Sequence, residues 1–185
     1  MLVSRITSPG VPAAGAYSGP ELTKDNAMTS TSTRTAAAVA GPVPALRYAF
    51  TIVARVDPYI PLMGRAAEQL ELIPITGGHV SGELAGDVVA GGADWCTARA
   101  DDAFQVEARY GIRTQDGHYV DVVNTGILRH LDGETGDSQH MGYFMTSPVF
   151  RTAAPELQWL TRSAFVGRAR VFDGNTSIDV YEITA

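Results

Sequence analysis

The chain has 185 residues, a formal net charge of −6 and a single cysteine, Cys96. One cysteine excludes an intramolecular disulfide and a cysteine-rich zinc site. A domain of ~150 residues needs neither, because it already buries roughly 70% of its extended-chain surface. The acidic balance leaves no basic stripe to displace counterions, so no nucleic-acid partner is expected. No apolar run approaches the ~20 residues of a transmembrane helix, and no basic region followed by an apolar stretch opens the chain. A cytoplasmic protein without a membrane partner is the expectation.

Residues 1–44 are rich in Pro, Gly, Ser, Thr and Ala and hold almost no large apolar residues. Such a segment buries too little surface to offset its ordering entropy, which predicts a disordered tail. Met28 offers an alternative start, which would make residues 1–27 an extension. The folded domain is expected over residues 45–185.

From Leu46 to Val56 the pattern has period two, with Leu46, Tyr48, Phe50, Ile52, Ala54 and Val56 on one face of a half-buried strand. Asp57-Pro58 stops it, and Pro58 and Pro61 suggest an irregular connection. A strand over Ala66–Ile75 ends near Pro74, which points to an edge position or a bulge. Gly77-Gly78 reads as a turn into a strand over His79–Ala90, whose glycines suggest a bend or a close backbone neighbour. Two long alternating runs follow, Phe104–Thr114 and His118–Leu128, joined by Asp116-Gly117. That dipeptide predicts a hairpin with a type I′ turn.

A polar loop, His130–His140, leads to an extended run at Met141–Arg151 with Pro148 as an expected bulge. Pro155–Leu160 suits a short helical turn with Pro155 first. Ser163–Phe172 and Thr176–Thr184 form a last hairpin over Asp173-Gly174-Asn175. Eight to ten strands with almost no helix predict an all-β antiparallel sandwich or barrel.

Several blocks, in order, carry a resemblance: PITGG (Pro74–Gly78), GGADW (Gly91–Trp95), ARY (Ala108–Tyr110), DG (Asp116-Gly117), NTG (Asn124–Gly126), YF (Tyr143-Phe144), WL-x-R-x-x-FVG (Trp159–Gly167) and VYE (Val180–Glu182). Together they resemble the DUF3237 family, also written UPF0311, over residues 46–184. The resemblance implies a β-barrel of about eight antiparallel strands and transfers no catalytic residue. Thr161 and Met145 depart from the residues usual in the family, Asn and Arg.

Glu107 and Arg109 project from one face of their strand, opposite Phe104, Val106, Ala108, Tyr110 and Ile112. They fit either a solvent-exposed pair or a polar pair in a barrel mouth, and the resemblance leaves the two readings even. Asp94 follows a Gly-Gly pair and precedes Trp95. A carboxylate desolvated by an indole gains a raised pKa suited to acid–base work, whereas a turn-capping Asp has the same sequence. Tyr143 and Trp159 fit a ligand wall or plain core. Cys96 reads as a small buried hydrophobe, and the four histidines lack close metal-ligand spacing. Neither a phosphate-binding glycine loop nor a G-x-S-x-G elbow is present.

The favoured reading is a barrel whose mouth holds one small, partly apolar organic ligand, without metal or cofactor. It would act as an isomerase, cyclase or lyase. Asp94 or Glu107 would move the proton, and Arg109, Tyr143 and Asn124 would polarise the reacting oxygen. Trp95, Tyr110, Trp159 and Arg162 complete the ligand-contacting candidates. A non-catalytic, lipocalin-like carrier is the alternative, and a filled, oligomer-forming module is the third.

Overall fold

The computed structural model describes residues 41–136 and 138–185, so the tail expected over residues 1–44 lies almost wholly outside the described residues. Nine strands dominate: β1 (Ala45–Val56), β2 (Ile60–Arg65), β3 (Glu68–Gly82), β4 (Gly86–Ala98), β5 (Phe104–Thr114), β6 (Tyr119–Arg129), β7 (Tyr143–Arg151), β8 (Phe165–Phe172) and β9 (Asn175–Thr184). Neighbours pair antiparallel, and β1 closes the sheet by pairing with both β9 and β3. Eight strands therefore make a closed barrel, with β2 as an extra edge strand on β3. Closure removes the open edges that a sandwich would have to protect.

Alternation decides what fills the barrel. Phe50, Ile52, Val80, Val88, Val106, Ile112, Val120, Val122, Phe150, Ile178 and Val180 are buried and point inward. In β1 the period-two pattern breaks where the register to β9 shifts between Tyr48 and Phe50. Ala49 and Phe50 are consecutive buried residues, while Leu46 and Tyr48 stay exposed. The expectation that Leu46 and Tyr48 share the buried face of Phe50 is thus corrected by a β-bulge.

One end of the barrel is plugged. After β7 the chain makes a single 3-10 turn (Pro155–Leu157), with proline at its start, and a one-turn helix α1 (Trp159–Arg162). Leu160 is fully buried, and Trp159 packs edge-on against Phe50 and Phe165, with ring centroids 6.1 and 5.9 Å apart. Phe150 joins this cluster through Phe50 and Phe165. Hydrogen bonding of Thr152 to the Tyr119 carbonyl ties the plug to the β5–β6 end.

Gly77-Gly78 is no turn. β3 runs straight through both glycines, and the reversal comes after Gly82. Pro61, expected in irregular chain, lies in edge strand β2, where its missing N–H breaks no ladder essential to the barrel. Pro74 sits where β3 passes from pairing with β2 to pairing with β1. Pro148 produces no bulge, since β6–β7 register is continuous across it. Its missing donor is tolerated because β7 and β8 share two residue pairs, at Met145 and Thr146.

The Asp116-Gly117 hairpin forms, but its loop is longer than a two-residue turn. Thr114 and His118 are bonded through Thr114 N–H to the His118 carbonyl, leaving Gln115, Asp116 and Gly117 as the loop. Gly117 has φ +86°, whereas Asp116 is not left-handed. This is the three-residue loop ending in a left-handed glycine, in place of type I′. The two-residue geometry occurs instead at Asp173-Gly174, where φ is +41° and +73°. Gly117→Val should cost ~1–3 kcal/mol from backbone strain, and an unchanged denaturant midpoint would contradict the left-handed assignment.

Candidate functional site

Several polar side chains lie in the inward, apolar phase of their strands, among them Asp94, Tyr110, Asn124 and Thr146. Inter-strand register places Ile73, Asp94, Ala108, Asn124 and Pro148 in one row across β3–β7. The adjacent row runs Glu71, Cys96, Val106, Gly126, Thr146 and Gly167. Tyr110 is two residues from Ala108 on the other side and is buried. Rows two residues apart on one face bring side chains within reach of each other. Asp94, Tyr110, Asn124 and Thr146 thus form a polar group inside an otherwise apolar barrel.

Burial pushes the Asp94 carboxyl up to about 6 from 3.8. A 2.8 Å hydrogen bond from the Glu107 amide opposes that rise, and the charge of Glu107 adds to it. The Tyr110 phenol is also raised, first by burial and then by the charge of Asp94, so it remains a proton donor. Tyr110 Oη, Asn124 Oδ1 and Thr146 Oγ1 are buried without a protein hydrogen-bond partner. Native interiors seldom leave such atoms unmet, because each costs ~1–3 kcal/mol unless water or a ligand supplies the bond. Burial raises the half-buried Glu71 as well. The Cys96 thiol is pushed up to about 12, by burial and then by Asp94 and Glu71, so it stays a protonated, buried group.

The other expected site residues separate from this group. Glu107 and Arg109 are exposed on the outer wall. Alternation puts them there, since Val106, Tyr110 and Ile112 take the interior. Arg109 contacts Asp121 at 3.5 Å, and no ion pair joins it to Glu107 among the described residues. Of the two readings the sequence leaves open, the surface pair is the one the structure shows, and Arg109 points away from the barrel interior. Glu107→Gln, Arg109→Met and the double mutant should each change stability by at most ~1 kcal/mol. A loss of several kcal/mol in Arg109→Met, partly recovered in the double mutant, would return the pair to the interior.

Trp95 is exposed on the outer wall, and Arg162 is exposed on α1. Tyr143 is half-buried, with the Arg129 guanidinium 4.4 Å from its ring centre. Trp159 belongs to the plug. Thr161 bonds the Gln158 carbonyl, and Met145 faces outward from β7. Two open clefts lie on the outer wall, of about 610 Å³ over β5–β8 with Thr146 in its lining and about 310 Å³ at the β4 arch with Tyr110 in its lining, and neither is lined by Asp94. Among the described residues no three His, Cys, Asp or Glu side chains are grouped to hold a metal ion. No helix among them is long and apolar enough to cross a membrane.

The family model described as a protein of unknown function, DUF3237, matches residues 44–183. The chain belongs to the DUF3237 family. A UPF0311 protein of Rhodopseudomonas palustris is 37% identical over 146 residues, covering 74% of this chain and 95% of that one. A crystal structure of a protein of unknown function from Clostridium acetobutylicum superposes with a TM-score of 0.71 at 31% identity, covering 77% and 100% of the two chains. A structure described as an enzyme from Penicillium herquei shares the fold, with a TM-score of 0.63 at 20% identity over 80% and 99% of the chains.

The blocks that carry the DUF3237 resemblance divide by what they do in this chain. PITGG places β3 against β1, and WL-x-R-x-x-FVG makes the plug and the start of β8. GGADW, ARY and NTG supply Asp94, Tyr110 and Asn124. Thr146 is marked in the sequence by its phase alone. It alternates with Phe144 and Phe150, and a polar residue in the apolar phase of a buried strand is the usable signal.

Proposed function

We propose that the barrel interior around Asp94 binds one small organic molecule bearing a hydroxyl or carbonyl oxygen, and moves a proton on it without a cofactor. The observation that supports this reading is a desolvated carboxyl, with a pKa of about 6, beside three buried polar atoms that no protein group satisfies. A carboxyl near that value serves as base or acid close to neutral pH. Tyr110 and Thr146 would donate to the oxygen at which negative charge develops, and the Asn124 carbonyl would accept from a substrate hydroxyl. The outward Glu107 and Arg109 have no part in this mechanism. The reactions that fit are an isomerisation, a cyclisation or an elimination. The Penicillium herquei enzyme is a precedent for catalysis on the shared fold.

The test is proton exchange. A panel of ketones, enones and phenols would be incubated with the protein in deuterated buffer and read by mass spectrometry. Wild type should introduce deuterium or rearrange at least one compound, and kcat/KM should rise with pH through about 6 if Asp94 acts as base. Folded Asp94→Asn should lose that activity. Compounds that bind wild type tightly yet never exchange or rearrange would favour the carrier.

A further inference from the structure

Trp95 and Tyr119 are 43% and 50% exposed on the outer wall, large rings left in water. They belong to the open cleft of about 310 Å³, which Arg109, Asp121, Gly111 and the chain from Val89 to Ala93 also line. The volume is at the lower end of the ~300–1,000 Å³ usual for ligand sites. Its origin is local. β4 carries extra residues between Val89 and Ala93 relative to β5, so Ala90 and Gly91 bulge outward, while Gly92 packs against the Arg109 carbonyl and Tyr110 of β5. Across from the arch, Gly111 has no side chain and Tyr119 lies over it; a Cβ there would collide with the Tyr119 ring.

The charges around this cleft are unevenly satisfied. Asp121 is shared by Arg109 at 3.5 Å and Arg151 at 3.9 Å, both loose contacts. Arg113 is held by the Gly117 carbonyl, and Glu107 lies beside Trp95 in register. Arg109 keeps most of its five donors free, with its side chain 61% exposed. A guanidinium between two aromatic walls suits an anion carried on a flat ring: the fork binds the carboxylate in two places while the rings stack.

We propose that this cleft, whose floor includes Tyr110, is a second ligand site on the outer face of the barrel wall, for a planar aromatic carboxylate. The ring would lie between Trp95 and Tyr119, with its carboxylate on Arg109. Asp121, 3.5 Å from the guanidinium, weakens anion binding by its own charge.

The probe is 2-naphthoate, titrated into the full chain and followed by proton–nitrogen NMR. The indole signal of Trp95, assigned by its absence in Trp95→Phe, and the amide of Gly91 should move, while the Trp159 indole stays. Arg109→Gln should weaken binding about tenfold, and Asp121→Asn should tighten it by about threefold. The uncharged analogue 2-naphthalenemethanol should bind wild type and Arg109→Gln alike. Naphthoate that leaves Trp95 and Gly91 unmoved overturns the proposal, as does equal naphthoate affinity in wild type, Arg109→Gln and Asp121→Asn.

Discussion

Asp94→Asn should make the fold more stable at neutral pH while removing activity. The native carboxyl has its pKa at about 6 against an ordinary 3.8. Between those values the native state binds more protons than the unfolded state, so stability falls as pH rises. The contribution of protonated Asp94 is fully present below pH 3.8 and gone above about 6. The displacement corresponds to about 2–3 kcal/mol, allowing for partial solvent access. Asparagine stays neutral at every pH, and its oxygen still accepts from the Glu107 amide. The difference between Asp94→Asn and wild type, from urea unfolding, should therefore be near zero at about pH 3 and reach about 2–3 kcal/mol at about pH 7.5. Other carboxylates cancel in that difference. A buried group that weakens the fold and serves the proposed reaction would be a familiar trade between stability and function.

Gly78→Ala should have a larger effect, with the opposite sign. β3 crosses β1 at this residue, in the pairing that closes the barrel, with φ +142°. An added Cβ would collide with the Val53 carbonyl, which is backbone and cannot swing aside. Strain at a disfavoured φ and overpacking each cost ~1–3 kcal/mol, so a loss of about 3–5 kcal/mol is expected. Gly64→Ala is the control. Gly64 lies on β2, the nearest atom to its added Cβ is 3.8 Å away, and its midpoint should move by less than ~0.5 kcal/mol. Equal midpoints for the two variants would mean that β3 does not pass β1 so closely.

Alternation made much of this barrel legible. The runs Phe104–Thr114 and His118–Leu128 became β5 and β6 to within one residue, because their apolar phase matches the buried face throughout. What alternation could not show is where the phase slips. The β1 bulge at Tyr48–Phe50 is invisible because Ala49 fits either face. The two Asp-Gly turns look alike in sequence and differ in the structure, since pairing of Thr114 with His118 adds Gln115 to the first loop. Gly77-Gly78 reads as a turn because a glycine pair serves equally for reversal and for close crossing.

The site was legible in part for a related reason. Asp94 is in phase with Val88 and Cys96, and Asn124 with Val120, Val122 and Leu128. Glu107 and Arg109 were out of phase with the apolar residues of their own strand, which argued for the outer wall. The competing idea of a polar barrel mouth kept them open. Glu71, in phase with Ile73 and Ile75, carries the same inward signal as Asp94.

Asp94 is an interior carboxyl whose pKa burial raises from 3.8 to about 6. Carbon-13 NMR of the side-chain carboxyls, titrated from pH 3 to 9, reads it directly, with the Asp94 signal assigned by its loss in Asp94→Asn. The account predicts a midpoint at about 6. A midpoint at or below 3.8, the ordinary aspartate value, would show a solvated carboxylate and contradict it.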